Sequence, residues 1–166
     1  FVGETGVDRI VKRSAELGGT DVTVIEIGGT IGDFQNALYI DAARIIKVKN
    51  PKDVLFIMVS YLPVPATIGE MKTRPTQHAV RELNSYGVQP DIILARSTHA
   101  LDQKRKEKLA IWCNMEPDHI ISAPDIESIY DVPINFERDG VGEKILSHFG
   151  LKPRKMDLVA WRKFGS

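Results

Sequence analysis

A chain of 166 residues, 43% hydrophobic and 27% charged, has the composition of a folded globular domain with one core, which excludes a disordered polymer. Its 22 Lys and Arg balance 22 Asp and Glu, so no global field draws it to nucleic acid or to an anionic membrane surface. Its one cysteine, Cys113, excludes an intrachain disulfide and suits a reducing cytoplasm, and no apolar run approaches the roughly 20 residues that span a bilayer.

The first residues, Phe1-Val-Gly-Glu-Thr, carry no signal-peptide pattern and read as a cut end. Val7, Ile10, Val11 and Leu17 share one face of a predicted first helix, which Gly18-Gly19 stops. Residues 21–27 are predicted as a β-branched strand that runs into the glycine-rich turn 28–32. A helix is predicted over 36–48, with Leu38, Ile45 and Ile46 on its pattern. Residues 54–62 form a second predicted strand, apolar at nearly every position, as in a strand covered on both faces. There follow a predicted helix over 76–86, a strand over 91–95, a charged amphipathic helix over 102–114, a strand over 119–123 and a helix over 141–149. The Lys/Arg-rich tail 151–166 holds Trp161 and reads as a linker or docking helix. Strand and helix alternate without hairpin signals, which predicts βαβ units and an α/β, Rossmann-like layered domain with a mostly parallel sheet. Its N-terminal part is expected to be missing, at the cost of at least one strand.

In open α/β sheets ligands bind beyond the carboxyl ends of the strands. Glu26-Ile-Gly-Gly-Thr-Ile-Gly-Asp33 lies at such an end. A carboxylate beside a glycine turn suits a hard cation such as Mg²⁺, and the glycines let backbone N–H groups approach an anion. The same residues also suit a tight strand-to-helix turn with Asp33 as N-cap, and their spacing is not the dinucleotide fingerprint. Gly69-Glu-Met-Lys-Thr-Arg-Pro-Thr-Gln-His78 places two cations, two hydroxyls and an amide around a proline suited to a helix start. Phosphate binding is favoured there over a solvated basic turn. It is not a Walker A loop, because Met71 stands where that loop needs glycine and Arg74-Pro75 follow. Residues 102–109 read as a solvated face of alternating charges. Residues 123–133 form an acidic loop after a strand, where Asp125 or Ser128 can cap a short helix. Cys113, beside Trp112, reads as a buried structural cysteine, and the histidines show no metal-ligand spacing.

Taken together and in this order, the segments 26–33, 69–78 and 122–133, with Gly87-Val-Gln-Pro-Asp-Ile and Arg96-Ser between them, resemble CTP synthase from about residue 22 to 161. That resemblance implies a P-loop-NTPase-type layered fold, with 1–150 part of a synthetase (amidoligase) domain and 151–166 a linker toward a glutaminase domain that lies outside these residues. It implies the amination of UTP to CTP. ATP phosphorylates the uracil O4, and ammonia drawn from glutamine displaces the phosphate. Glu26 then matches a Mg²⁺ ligand, and Asp33, Phe34 and Gln35 match the segment that distinguishes bound CTP. Lys72, Thr73, Arg74, Pro75, Thr76 and Gln77 match the loop that grips the UTP or CTP phosphates, with Lys72 also in the catalytic role and Lys108 reaching the same triphosphate. Pro124, Asp125 and Ile126 match the stretch against the ATP adenine. The family further implies a cytoplasmic homotetramer.

This chain departs from the family at three of those positions. Gln35 stands where Glu is usual, which puts carboxylate recognition of CTP in doubt; Arg74 replaces Lys; Pro124 stands where a basic residue is common and supplies no N–H. The family's glycine-rich phosphate loop with its catalytic lysine, and a second Mg²⁺ carboxylate, are not in these residues. The polypeptide alone is therefore expected to be inactive. A non-catalytic nucleotide-binding or assembly module of the same fold is the alternative. A dethiobiotin synthetase relative is disfavoured by the ordered motifs after Lys72.

Overall fold

The computed structural model describes residues 6, 9, 12, 13, 16, 18–153 and 158–163. Val7, Ile10, Val11 and Leu17, which define the predicted first helix, lie outside the described residues. The chain divides into two units, Phe1–Val54 with Glu82–Gln89, and Leu55–Arg81 with Pro90–Ser166.

In the first unit, helix α1 spans Phe34–Lys49. Lys47 and Lys49 in its last turn suit the negative end of the helix dipole, and Pro51 follows Asn50, which closes the helix by donating to Ile46 O. The pattern placed Leu38 inward, but Leu38 is exposed and Ile40 and Ala42 are buried instead. The turn ahead of α1 needs its glycines. Gly29 has φ +86°, and a Cβ there would sit 2.7 Å from Asn36 Nδ2; Gly32 has φ +99°. The predicted strand over 21–27 is not formed. A strand is defined by its ladder, residues 21–27 pair with no strand among the described residues, and Val24 is 90% exposed.

The second unit is built on a parallel sheet in the order β1 (Ile57–Tyr61), β2 (Ile92–Ser97), β3 (Ile120–Pro124). The fold is α/β, Rossmann-like and layered, as expected. Ile57 faces Ile92 and Ser60 faces Ala95 across the first ladder; Leu94 faces Ile121 and Ala95 faces Ser122 across the second. Partners in register share a face, so alternate residues sort the helices onto two sides. On one side, Ile92, Ile121 and Val141 form a buried cluster with Leu55, Leu94, Phe136 and Ile145 packed against it. This side is covered by α4 (Val132–Arg138) and α5 (Val141–His148). On the other, Ser60 Oγ lies 2.9 Å from Thr76 Oγ1 of α2 (Arg74–Ser85), and Ser122 Oγ accepts from Leu101 N at 2.8 Å just before α3 (Gln103–Cys113).

The prediction that residues 54–62 are covered on both faces fails. Met58 and Ser60 are buried, whereas Ile57, Val59 and Tyr61 are 40%, 61% and 52% exposed. The cluster packs over the two strands beyond β1, so the apolar residues of β1 on that side remain uncovered. The charged helix matches its prediction closely. Asp102 caps α3 by accepting from Arg105 N at 2.7 Å, and Asn114 closes it in the left-handed conformation at φ +53°. Helix α4 was not foreseen; it follows a 3₁₀ turn, Ile129–Asp131, which Ser128 caps by accepting from Tyr130 N. In α6 (Val159–Arg162), Trp161 Nε1 donates to Tyr130 O at 2.6 Å. No helix among the described residues is long and apolar enough to cross a membrane.

Candidate functional site

The second unit holds a cavity of about 630 Å³, within the usual range for small-molecule sites. Its wall is made by the loop before α2, the first two turns of α2 and one face of α3. Gly69 turns the loop at φ +64°, and Lys72 N donates to Pro63 O at 2.9 Å, so the main chain under Lys72 is held. Met71 and Thr73 on either side are buried. Helix α2 then opens with Arg74-Pro75, where proline costs no hydrogen bond because first-turn N–H groups have no intrahelical acceptor. Thr73 closes the start. Its carbonyl accepts from Gln77 N and its hydroxyl accepts from Gln77 Nε2, both at 3.2 Å. Arg74, Gln77, His78 and Arg81 follow on the side of α2 that lines the cavity, and Lys104, Lys108 and Trp112 repeat at intervals of four on α3.

Six cations, Lys72, Arg74, Arg81, Lys104, Arg105 and Lys108, line this space with one carboxylate, Glu70. The whole chain has a net charge of zero, so the cluster is a local concentration of positive charge. Glu70 lies 2.8 Å from Lys72 Nζ and 3.9 Å from Arg105. Its carboxyl is held below the ordinary glutamate range, first by the hydrogen bond from Lys72 and then by that residue's charge. Arg81 lies over the Trp112 ring at 5.5 Å from its centroid. A local cluster of cations of this kind is chemically suited to a polyanion.

A family described as the CTP synthase N-terminus matches residues 4–151 of the chain. The chain belongs to the CTP synthase N-terminal family. The CTP synthase of Methanocaldococcus jannaschii is 44% identical over 147 residues, 88% of this chain and 27% of that protein. That of Pyrococcus abyssi is 40% identical over 158 residues, covering 94% and 29%. That of Symbiobacterium thermophilum is 42% identical over 153 residues, covering 91% and 28%. The chain therefore spans less than a third of the length of these curated relatives.

Of the residues singled out from sequence, Lys72, Thr73, Arg74, Gln77 and Lys108 meet at the cavity. Two of their neighbours do not line it. Thr76 is fully buried and spends its hydroxyl on Ser60, and Pro75 is the second residue of α2. Pro124, Asp125 and Ile126 lie at and beyond the carboxyl end of β3, where Asp125 N donates to Ser97 O at 2.8 Å and its carboxylate lies 3.5 Å from Arg96. Asp33, Phe34 and Gln35 begin α1 in the first unit. Asp33 stands at the N-cap position but makes no side-chain cap there; its carboxylate accepts from Thr30 N at 2.9 Å. Glu26 is exposed, and among the described residues no group of three His, Cys, Asp or Glu is arranged to hold a metal ion. A lone exposed carboxylate fits Mg²⁺ as one protein ligand, because that ion commonly takes one or two carboxylates and completes its shell with phosphates and water.

Sequence reasoning missed Glu70, Arg81, Lys104, Arg105 and Trp112. A helix-spaced reading of 104, 108 and 112 would have found one face of α3, which was read as solvated. Cys113 is buried, and burial pushes its thiol up to about 11 against the opposing charge of Arg81. The thiolate is the nucleophile, so at pH 7.5 Cys113 is expected to resist iodoacetamide until denaturant is added. Rapid labelling of the folded chain, read by mass spectrometry, would show a reactive cysteine instead.

Proposed function

We propose that the 630 Å³ cavity holds the triphosphate of UTP and, in competition, of CTP, within an enzyme that aminates UTP to CTP with ATP and glutamine-derived ammonia. The observation that carries this reading is the gathering of six cations around one space in a chain without net charge. Charge-assisted hydrogen bonds to phosphate contribute about 1.5–3 kcal/mol each, so about three to six of them supply the roughly 8 kcal/mol of micromolar binding. In this reading Lys72, Arg74 and Lys108 hold the triphosphate, and Thr73 and Gln77 fix the loop that presents them. The resemblance assigns recognition of the base edge to Asp33, Phe34 and Gln35 of the first unit. Pro124, Asp125 and Ile126 lie against the adenine of ATP. Glu26 would supply one Mg²⁺ ligand, and such an ion, when bound, would neutralise phosphate charge. Residues 1–150 belong to the synthetase domain, 151–166 lead toward the glutaminase domain, and the intact enzyme is a cytoplasmic homotetramer.

The test is calorimetric titration of the 166-residue chain with UTP, CTP and ATP, with and without Mg²⁺, beside a turnover assay with ammonia. UTP and CTP are expected to bind in preference to ATP, and no CTP is expected to form. Tight binding of ATP alone would overturn the assignment of the cavity. CTP formation would overturn the expectation that these 166 residues are inactive on their own.

A further inference from the structure

We infer that Glu70 is a built-in competitor for the phosphate site: its carboxylate occupies the place on Lys72 and Arg105 that a phosphate oxygen takes, and must leave when a triphosphate arrives. The inference rests on the cavity being a phosphate site, and it adds what sets the affinity there.

Glu70 bridges two cations that come from different elements. Oε2 lies 2.8 Å from Lys72 Nζ on the loop, and Oε1 lies 3.9 Å from Arg105 at the start of α3. Two oxygens held between two cations is how a phosphate group would sit. Among the described residues Glu70 is the only carboxylate lining the cavity. The cations it engages keep other supports. Arg105 also pairs with the α3 cap Asp102, and Lys72 is fixed through its own main chain by Pro63 O. Arg105 and the main chain of Lys72 therefore have anchors besides Glu70. Glu70 itself is 56% exposed, and its recorded side-chain contacts are to these cations, so its carboxylate can swing into water without opening a cavity. Its carboxyl is held below the ordinary glutamate range by the hydrogen bond and charge of Lys72, with Arg105 and Lys108 adding to the same effect.

An entering triphosphate therefore faces two costs that the bare cation cluster would not impose. It must break the Glu70 pairs, and it must accept a carboxylate left close by. Removing only the charge of Glu70 lifts both. The probes are inorganic tripolyphosphate and UTP, titrated calorimetrically into the chain, into Glu70→Gln and into Glu107→Gln. Glu107 is an exposed carboxylate of α3 that accepts from Gln103 Nε2 and does not line the cavity, so it controls for net charge alone. Circular dichroism confirms that all three are folded. Glu70→Gln is expected to tighten both ligands about three- to tenfold, and Glu107→Gln less than about twofold. Unchanged or weaker binding by Glu70→Gln, with the parent binding normally, would mean that Glu70 positions Lys72, and the competitor idea would fall while the phosphate site stood. Equal tightening in both variants would reduce the effect to net charge and also overturn it. No binding by any of the three would sink the inference and the phosphate reading together.

Discussion

Replacing Lys72 by alanine is expected to weaken UTP binding by about tenfold to a hundredfold while leaving the melting temperature within about 2 °C. The size follows from losing one or two charge-assisted hydrogen bonds to phosphate in a partly exposed site. The absence of a stability effect follows from how the residue is held. Lys72 contributes its main-chain N–H to Pro63 O, and the buried Met71 and Thr73 anchor the loop on both sides, so truncating an exposed ammonium leaves the packing intact. Lys106 on α3 lies outside the cavity wall, and Lys106→Ala is expected to change affinity less than about twofold. Equal losses in the two variants would mean that binding follows overall charge and that the loop is no specific site. Lys72→Ala also leaves Glu70 facing the cavity without its main partner. The double variant Glu70→Gln with Lys72→Ala is accordingly expected to bind UTP better than Lys72→Ala alone, and this coupling separates a competing carboxylate from a passive one.

The parts of the fold that were legible in the sequence are those whose local and tertiary preferences agree. β2 and β3 each open on two buried isoleucines, Ile92-Ile93 and Ile120-Ile121, after turn residues, and both formed within a residue or two of the prediction. Helix α3 carries its stop and start signals in Asp102 and Asn114, which act through their own backbone neighbours. Residues 21–27 have equal strand propensity, yet a strand also requires a partner, and that information is not local. Ile57, Val59 and Tyr61 made β1 look covered on both faces, but cover depends on how far α4 and α5 reach across the sheet. The candidate site divides in the same way. Lys72 to Gln77 announced itself because cations, hydroxyls and proline at a helix start have a chemical meaning at that spacing. Lys104 and Arg105 did not, because alternating charges on a helix look solvated until another element is packed beside them.

Ile121→Ala is expected to destabilise the chain by about 2–5 kcal/mol, lowering its melting temperature by roughly 5–15 °C. Ile121 is 1% exposed as the second residue of β3, in register with Leu94, and lies in the cluster formed with Ile92 and Val141 under α4 and α5. The loss of three methyl or methylene carbons there removes buried apolar area and leaves a cavity that strands on a fixed ladder cannot close. The affinity of the folded protein for UTP, measured well below the transition, is expected to stay within about twofold of the parent. The reason is the sorting of side chains by the pleat. Ile121 and Leu94 point to the α4 and α5 side, whereas Ser60 and Ser122 point to the other, where they bond Thr76 of α2 and the residue before Asp102. The cations of the cavity are carried by elements fastened to that second side. Chemical denaturation read by circular dichroism gives the stability term, and calorimetry at 15 °C gives the affinity. A large fall in affinity at full occupancy of the folded state would show that packing on one face of the sheet sets the geometry of the other, and the separation of core from site drawn from the pleat would be wrong.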